Sequence, residues 1–463
     1  MVLVYHVGSQ VHELPTLWCE TDGTPLSTTK TGVRQFLENR YAACIKPVYQ
    51  LDKDTCLMIR DSMQDIQLEP KNRNPTFGEY FHLFWTVKIK SSFIRCNAVC
   101  LLFVKQNRTN SVKDLTRAKR DDTAAGNCPD IKDISMQTVI PTDYNWSAFL
   151  ANRHNKMCLV RFLVAQILTE GHTLLNEGQT LFVNDEDDGW KICSGAPPTP
   201  FLPLSSCQEE ADTRMFFAVT VLDSYESYLV RSTDSDVLFV ACINETKFRN
   251  KNVVIQYNTA SSSARYVSCD ELFKAIDDDI DPLMSMARNQ GQSFVQMFGI
   301  IHYVAGSDYL PYFRNISKNK VCHALIKYMD FIFPSHMKPE YLYNADTSTL
   351  EDIYRFYARL ISAAFRYVYS TCFSSNESLD DLISRPDGGG ESHSMLIEVI
   401  REKTWHRTVV DQNTVPTMEA INFNSMRCTY VLNQIHNVSI LFQNFIDPTL
   451  WAWDRITLMA PLC

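Results

Sequence analysis

Cys207-Gln208-Glu209-Glu210-Ala211-Asp212-Thr213-Arg214, continued through Val230-Arg231-Ser232-Thr233-Asp234-Ser235-Asp236-Val237-Leu238-Phe239, is the stretch whose reading decides the fold. Acidic residues suit a helix N-terminus, and Met215 to Val219 carry the predicted helix into a core. Tyr228-Leu229-Val230-Arg231 is a short apolar run of β character. Asp234 and Asp236 follow where that run ends, spaced i and i+2. Carboxylates at the end of a buried strand, beside carboxylates on a neighbouring helix, make a site for hard cations.

Charge sharpens this reading. Two carboxylates about 4 Å apart repel by about 1 kcal/mol in water and about 4 kcal/mol at an effective dielectric near 20. Several converging acids therefore need protons or a metal. The plain alternative is that each acid points to solvent separately, as surface aspartates commonly do. Only agreement between several segments argues for a site.

Other segments do agree. Thr55 to Asp61 is a short apolar run ending in an aspartate, and Ala98 to Val104 is a second buried-strand candidate. Helices are predicted near Thr31 to Tyr41, over Thr76 to Phe93 and over Ala148 to Glu170, with Phe77, Tyr80, Phe81 and Phe84 on one face of the second. Leu181-Phe182-Val183 and Asn252 to Tyr257 read as strands, and Ala196 to Pro203 as a Pro-rich break. Ser268 with Glu271 has the capping-box spacing. Phe294 to Val304 is an apolar helix with Gly306 placed for its C-cap, which aims Asp308 out of the turn. Strand–helix alternation predicts an α/β fold, a mostly parallel sheet with helices on both faces. Sites in such sheets lie at the carboxyl ends of the strands, where Asp61, Asp234 and Asp236 fall. The expected organisation is an N-terminal extension over 1–50, a site-bearing domain over 51–345 and a mainly helical region over 346–463.

Basic residues supply a second element. Lys113, Arg117 and Arg120 fall at i, i+4 and i+7, one face of a helix that can grip phosphates; a solvated charged helix is the other reading. Ser317, Lys318 and Lys320 open a further helix, and a helix N-terminus with lysines suits phosphate. The net charge of −9 gives no global basic signature, so nucleic acid would be held by local patches. No signal-peptide pattern opens the chain and no apolar run is long enough for a membrane span. The 15 scattered cysteines then read as reduced core thiols of an intracellular protein, nuclear or cytoplasmic and not secreted.

In order, Asp61, the strand ending Phe103-Val104, Lys113 with Arg120, Glu210-Ala211-Asp212, Asp234-Ser235-Asp236 and Gly306-Ser307-Asp308-Tyr309 resemble the motif series of the flap-endonuclease and xeroderma-pigmentosum-G-type nucleases. These have a PIN-like α/β fold. Glu209 to Arg214 and Val230 to Leu238 look closest to a divergent branch found with mobile elements and large DNA viruses. The resemblance covers about 51–340 well. It implies that Asp61, Glu210, Asp212, Asp234, Asp236 and Asp308 hold two divalent ions, Mg2+ or Mn2+. It also implies that Lys113 and Arg120 polarise the scissile phosphate of a nucleic acid, DNA in preference to RNA.

Two departures bear on that expectation. Val104 stands where the family has an aspartate, and Pro311 to Lys318 replaces the glycine-rich hairpin that grips duplex DNA. Three readings stay open: a structure-selective nuclease, a PIN-like protein that binds nucleic acid or protein without cutting, and an unrelated phosphate-ester hydrolase.

Overall fold

The computed structural model describes residues 4–7, 10–13, 31–70, 75–103, 128–141, 145–185, 187–206, 208, 210–257, 264–289, 291, 293–307, 310, 316–334, 339–343, 350–384, 390–405 and 415–438. A hairpin of β1 (Val4–Val7) and β2 (Gln10–Glu13) and helix α1 (Gly32–Arg40) come first. The main-sheet strands are β3 (Ile45–Lys46), β4 (Cys56–Asp61), β5 (Ala98–Leu102), β6 (Thr180–Asp185), β7 (Asp188–Cys193), β8 (Ala196–Pro200), β9 (Ser227–Arg231), β10 (Asn252–Tyr257) and β11 (Arg265–Ser268). They form one nine-stranded sheet in the order β3-β11-β10-β9-β4-β5-β6-β7-β8. The five central strands, β10 to β6 in that order, are mutually parallel, and both flanks are antiparallel. The molecule is thus α/β with a mixed sheet, parallel at its centre, flanked by helices.

Connectivity explains where a crevice must open. The chain moves from β4 to β5 to β6 in one direction, then returns to lay β9 on the other side of β4. The connections leave β4 and β9 toward opposite sides, so their carboxyl ends flank the switch point where open sheets bind ligands.

Strand alternation sorts the side chains into two cores. Leu57, Ile59, Tyr228 and Val230 point to one face, where α6 (Ala211–Val221), α7 (Asp236–Ile243) and α11 (Phe294–Val304) pack. Met58, Val99, Leu101 and Leu229 point to the other. There α3 (Phe77–Phe84), α4 (Trp146–Ala151) and α5 (Arg153–Leu174) cover the sheet. Gly299 lets α11 lie against α7: a Cβ there would stand 2.8 Å from Ile243 Cγ1 and 3.0 Å from its backbone nitrogen. Beyond β11 the named elements are helical. They include α9 (Cys269–Asp277), α12 (Lys318–Lys327), α14 (Leu350–Val368), α16 (His393–Thr404) and α17 (Met418–His436).

Several expectations are refined. Thr76 and Glu79 form a full capping box, but the regular helix stops at Phe84 and continues as a π-helical segment over Trp85–Lys90. The helix expected over Ala148 to Glu170 is broken at Asn152, whose side chain accepts from the Asn155 backbone and caps α5. Ser268 caps α9, while the Glu271 carboxylate engages Lys46 at 2.6 Å. The Pro-rich stretch forms edge strand β8, where a missing N–H is tolerated. β3, from within the first fifty residues, forms the opposite edge. No described helix is long and apolar enough to cross a membrane.

The helical layer carries a pH-sensitive joint. Buried Arg359 on α14 donates Nε to His393 Nε2 at 3.1 Å, Nη1 to the Phe331 carbonyl and Nη2 to Glu391. His393 must therefore present a lone pair, and burial, with the Arg359 charge behind it, pushes its pKa down to about 4. The folded value lies below the ordinary 6.5, so this contribution is complete above pH 6.5 and is lost as pH falls toward 4. Thermal melts of the full chain are expected to drop across that window, by an amount equivalent to roughly 2–3 kcal/mol for this histidine. His393→Gln, which keeps an acceptor but cannot titrate, flattens the slope; an unchanged slope would refute the assignment.

Candidate metal centre

Each side of the switch point builds one part of the site. On β4, Asp61 ends the strand and caps the short helix α2 (Ser62–Asp65), its Oδ1 accepting from the Met63 backbone at 2.9 Å. Gln64 then bridges to the next strand end. Its Nε2 donates to Ser232 Oγ at 3.3 Å and its Oε1 accepts from the Thr233 backbone at 3.0 Å.

The turn after β9 is fixed by its own short polar side chains. Ser232 Oγ accepts from the Asp234 backbone at 3.1 Å, and Asp234 Oδ1 accepts from the Asp236 backbone at 3.1 Å. Asp236 then starts α7, an acidic residue in the first turn where the helix dipole favours it. A second helix brings a further acid: Glu210 occupies the N-cap of α6 and Asp212 its first turn.

These two helix starts converge. Asp212, Asp234 and Asp236 each offer an oxygen within 4.8 Å of the others, and all three are half-buried. Oxygen-only donors on a partly desolvated surface are the donor set that a hard divalent cation prefers. The arrangement could hold a metal ion. Tyr303, buried behind the turn with its hydroxyl 3.4 Å from the Asp236 carbonyl, is raised far above its ordinary pKa by burial and then by these three carboxylates.

Sequence reading missed the support beneath Asp236. His302 on α11 is 1% exposed, and its Nε2 lies 2.9 Å from Asp236 Oδ1. Its ring stacks on Phe239 at 3.9 Å and stands perpendicular to Tyr303, so its aim is set by packing. The signal available was one imidazole in the mostly apolar run Phe294 to Val304, whose other polar side chain is Gln296 apart from the Tyr303 hydroxyl. Arg214 was also missed. Fully buried, it donates to the Asn184 side chain, the Ser206 carbonyl and, at 3.3 Å, the Phe103 carbonyl. It thereby locks the start of α6 to the ends of β5 and β6.

The remaining expected residues divide. Asp61 and Glu210 are half-buried at the ends of their elements, outside the group of three whose oxygens meet. Ser317 spends its hydroxyl as the cap of α12, and Lys320 is exposed on the same turn. Lys318 needs correction. It is 1% exposed and donates Nζ to the His302 carbonyl at 2.7 Å, so it supports the histidine from inside instead of offering a surface contact to phosphate. Its partner is brought by tertiary packing, which local sequence does not disclose. Val104, Lys113, Arg117, Arg120 and Asp308 lie outside the described residues.

On the opposite face, Arg60 and Arg231 are register partners of β4 and β9. Arg60 holds buried Asp65 through both carboxylate oxygens. Arg231 is pushed down to about 10 by burial and by the neighbouring Arg60 charge. Searches of protein-family models and of curated protein sequences give no match to this chain.

Proposed function

We propose that this chain is a divalent-metal-dependent, structure-selective nuclease of PIN-like fold that hydrolyses phosphodiester bonds of nucleic acid, DNA in preference to RNA. The observation that carries the reading is the convergence of Asp212, Asp234 and Asp236, from two helix starts, beside the β4–β9 switch point. The parallel centre of the sheet and the order of the acidic motifs support the same reading.

In this reading Asp212, Asp234 and Asp236 hold one Mg2+ or Mn2+, and Asp61 and Glu210 are the described carboxylates available to a second. A bound ion supplies a water of lowered pKa and charge stabilisation at a phosphoryl oxygen. His302 keeps the Asp236 carboxylate aimed, as outer partners of metal ligands do. Gln64 holds the two strand ends in fixed relation. Lys113 and Arg120 are assigned to the scissile phosphate, with Arg117 and Lys320 along the backbone of the strand.

Val104 favours a second reading, a PIN-like protein that binds nucleic acid or protein without cutting, because a ligand position of the resembled family is apolar here. One experiment separates the two. Purified full chain is incubated with labelled flap DNA, single-stranded DNA and single-stranded RNA, each with Mg2+, Mn2+ or chelator. Cleavage of at least one substrate, lost with chelator, is the expected result. Binding that persists in chelator with no cleavage under any metal would overturn the nuclease reading in favour of the second.

A further inference from the structure

Cys56 and Cys96 differ from the other described cysteines. Cys56 opens β4, and Cys96 lies two residues before its parallel neighbour β5. Cys96 Sγ donates to Cys56 Sγ at 3.2 Å, and both residues are fully buried. Bond formation, at about 2.05 Å, needs a closure of only about 1 Å. Buried thiols are ordinarily inert, but this pair sits beside a cavity. Cys96 lines a cavity of about 360 Å3 shared with Tyr49, Lys53, Arg95 and Leu229, room for several water-sized molecules.

The electrostatics agree with the geometry. The hydrogen bond from Cys96, then the Ser227 side chain and the Arg95 charge, hold the Cys56 thiol below its ordinary value against the cost of burial. Burial is the main cause that pushes Cys100, Cys242, Cys269 and Cys322 the other way. Whichever thiol is oxidised first, its partner stands in contact to resolve it.

We propose that Cys56 and Cys96 are an oxidation-sensitive pair that a peroxide converts to a disulfide, stapling β4 to the chain entering β5. The balance is simple. Two S–H bonds and the peroxide O–O bond break, one S–S bond forms, and two electrons and two protons pass to the peroxide, which leaves as two waters. The staple restricts the unfolded chain between the two strands. It also tightens the amino end of the strand whose carboxyl end carries Asp61. None of this depends on the nuclease reading.

Peptide mapping of the full chain tests it. Reduced protein is treated with hydrogen peroxide, alkylated, digested with trypsin and read by mass spectrometry. The expected product joins Asp54–Arg60 to Cys96–Lys105, lighter by two hydrogens than the separate peptides, with a melting temperature raised by a few degrees. Cys100 shares the second peptide, so fragmentation of the linked pair must assign the bond to Cys96; Cys100→Ala keeps the link and Cys96→Ala loses it. Separately alkylated Cys56 and Cys96 after oxidation, over-oxidised thiols without a link, or a link to Cys100 would each overturn the proposal. The wild-type map decides even if a variant fails to fold.

Discussion

Asp212→Asn and Asp234→Asn are each expected to raise the stability of the metal-free chain, and these two and Asp236→Asn, which also forfeits the His302 pairing, to abolish any stabilisation of the chain by Mg2+ or Mn2+. The opposite signs follow from the geometry. Three carboxylates offer oxygens within 4.8 Å of one another on a half-buried surface. Neutralising one removes repulsion on the order of 1–4 kcal/mol from the metal-free state. Asparagine keeps an oxygen for the backbone bonds of the turn, so Asp234→Asn can still accept from Asp236 and the local fold survives. With metal present the order reverses, because a neutral amide is a weaker ligand than a carboxylate. His302→Gln, acting one shell further out, should cost about 10–100-fold in metal affinity, and loss of a direct carboxylate should cost more.

Thermal shift with and without 10-fold steps of metal, followed by calorimetric titration, reads both signs. A variant that binds metal as well as the parent would remove that aspartate from the site. A variant that destabilises the metal-free chain would show that its carboxylate serves the fold. Cleavage assays on the same variants then ask the separate question of chemistry, and metal binding without cleavage in the parent chain would direct attention to Val104, with Val104→Asp as the attempt to restore a ligand.

The acidic centre was legible because its chemistry is local. Asp234 and Asp236 follow a strand whose apolar run ends at Arg231, and Glu210 with Asp212 precede an apolar helix, so each pair sits at an element boundary that sequence can mark. Strand–helix alternation also gave a parallel sheet with its site at the carboxyl ends of the strands, but not the strand order that sets β4 beside β9. The antiparallel flanks were not legible. β3 is two residues long, and β8 is Ala196-Pro197-Pro198-Thr199-Pro200, a turn-like sequence that only an edge position makes possible. The supporting side chains were hidden for another reason. His302 meets Asp236, and Lys318 meets the His302 carbonyl, across sequence separations that no periodicity encodes. A buried lysine and a surface lysine look the same in a helix start, and only packing tells them apart.

Arg214→Lys and Arg214→Met each destabilise the chain by about 3–5 kcal/mol, the range for stripping one partner from a buried charged network. The guanidinium is fully buried, with hydrogen bonds from its two terminal nitrogens to Asn184, Ser206 and Phe103, and Asp187 stands 3.9 Å away. Removing it leaves an amide oxygen and two carbonyls buried without their donor, each costing roughly 1–3 kcal/mol. Lysine does not rescue. A single ammonium on a flexible stem lacks the planar fork that reaches acceptors on three chain segments at once. Methionine fills the volume but supplies no donor. The loss should also reach the centre, because Arg214 lies two residues after Asp212 in α6 and fastens that helix start to the ends of β5 and β6. Urea midpoints give the stability change, and metal titration of the folded fraction gives the change in affinity. A double-mutant cycle with Asn184→Ala isolates the shared term; strict additivity would show that the two side chains act independently, and an Arg214→Lys chain as stable as the parent would remove the guanidinium from the account of how Asp212 is held.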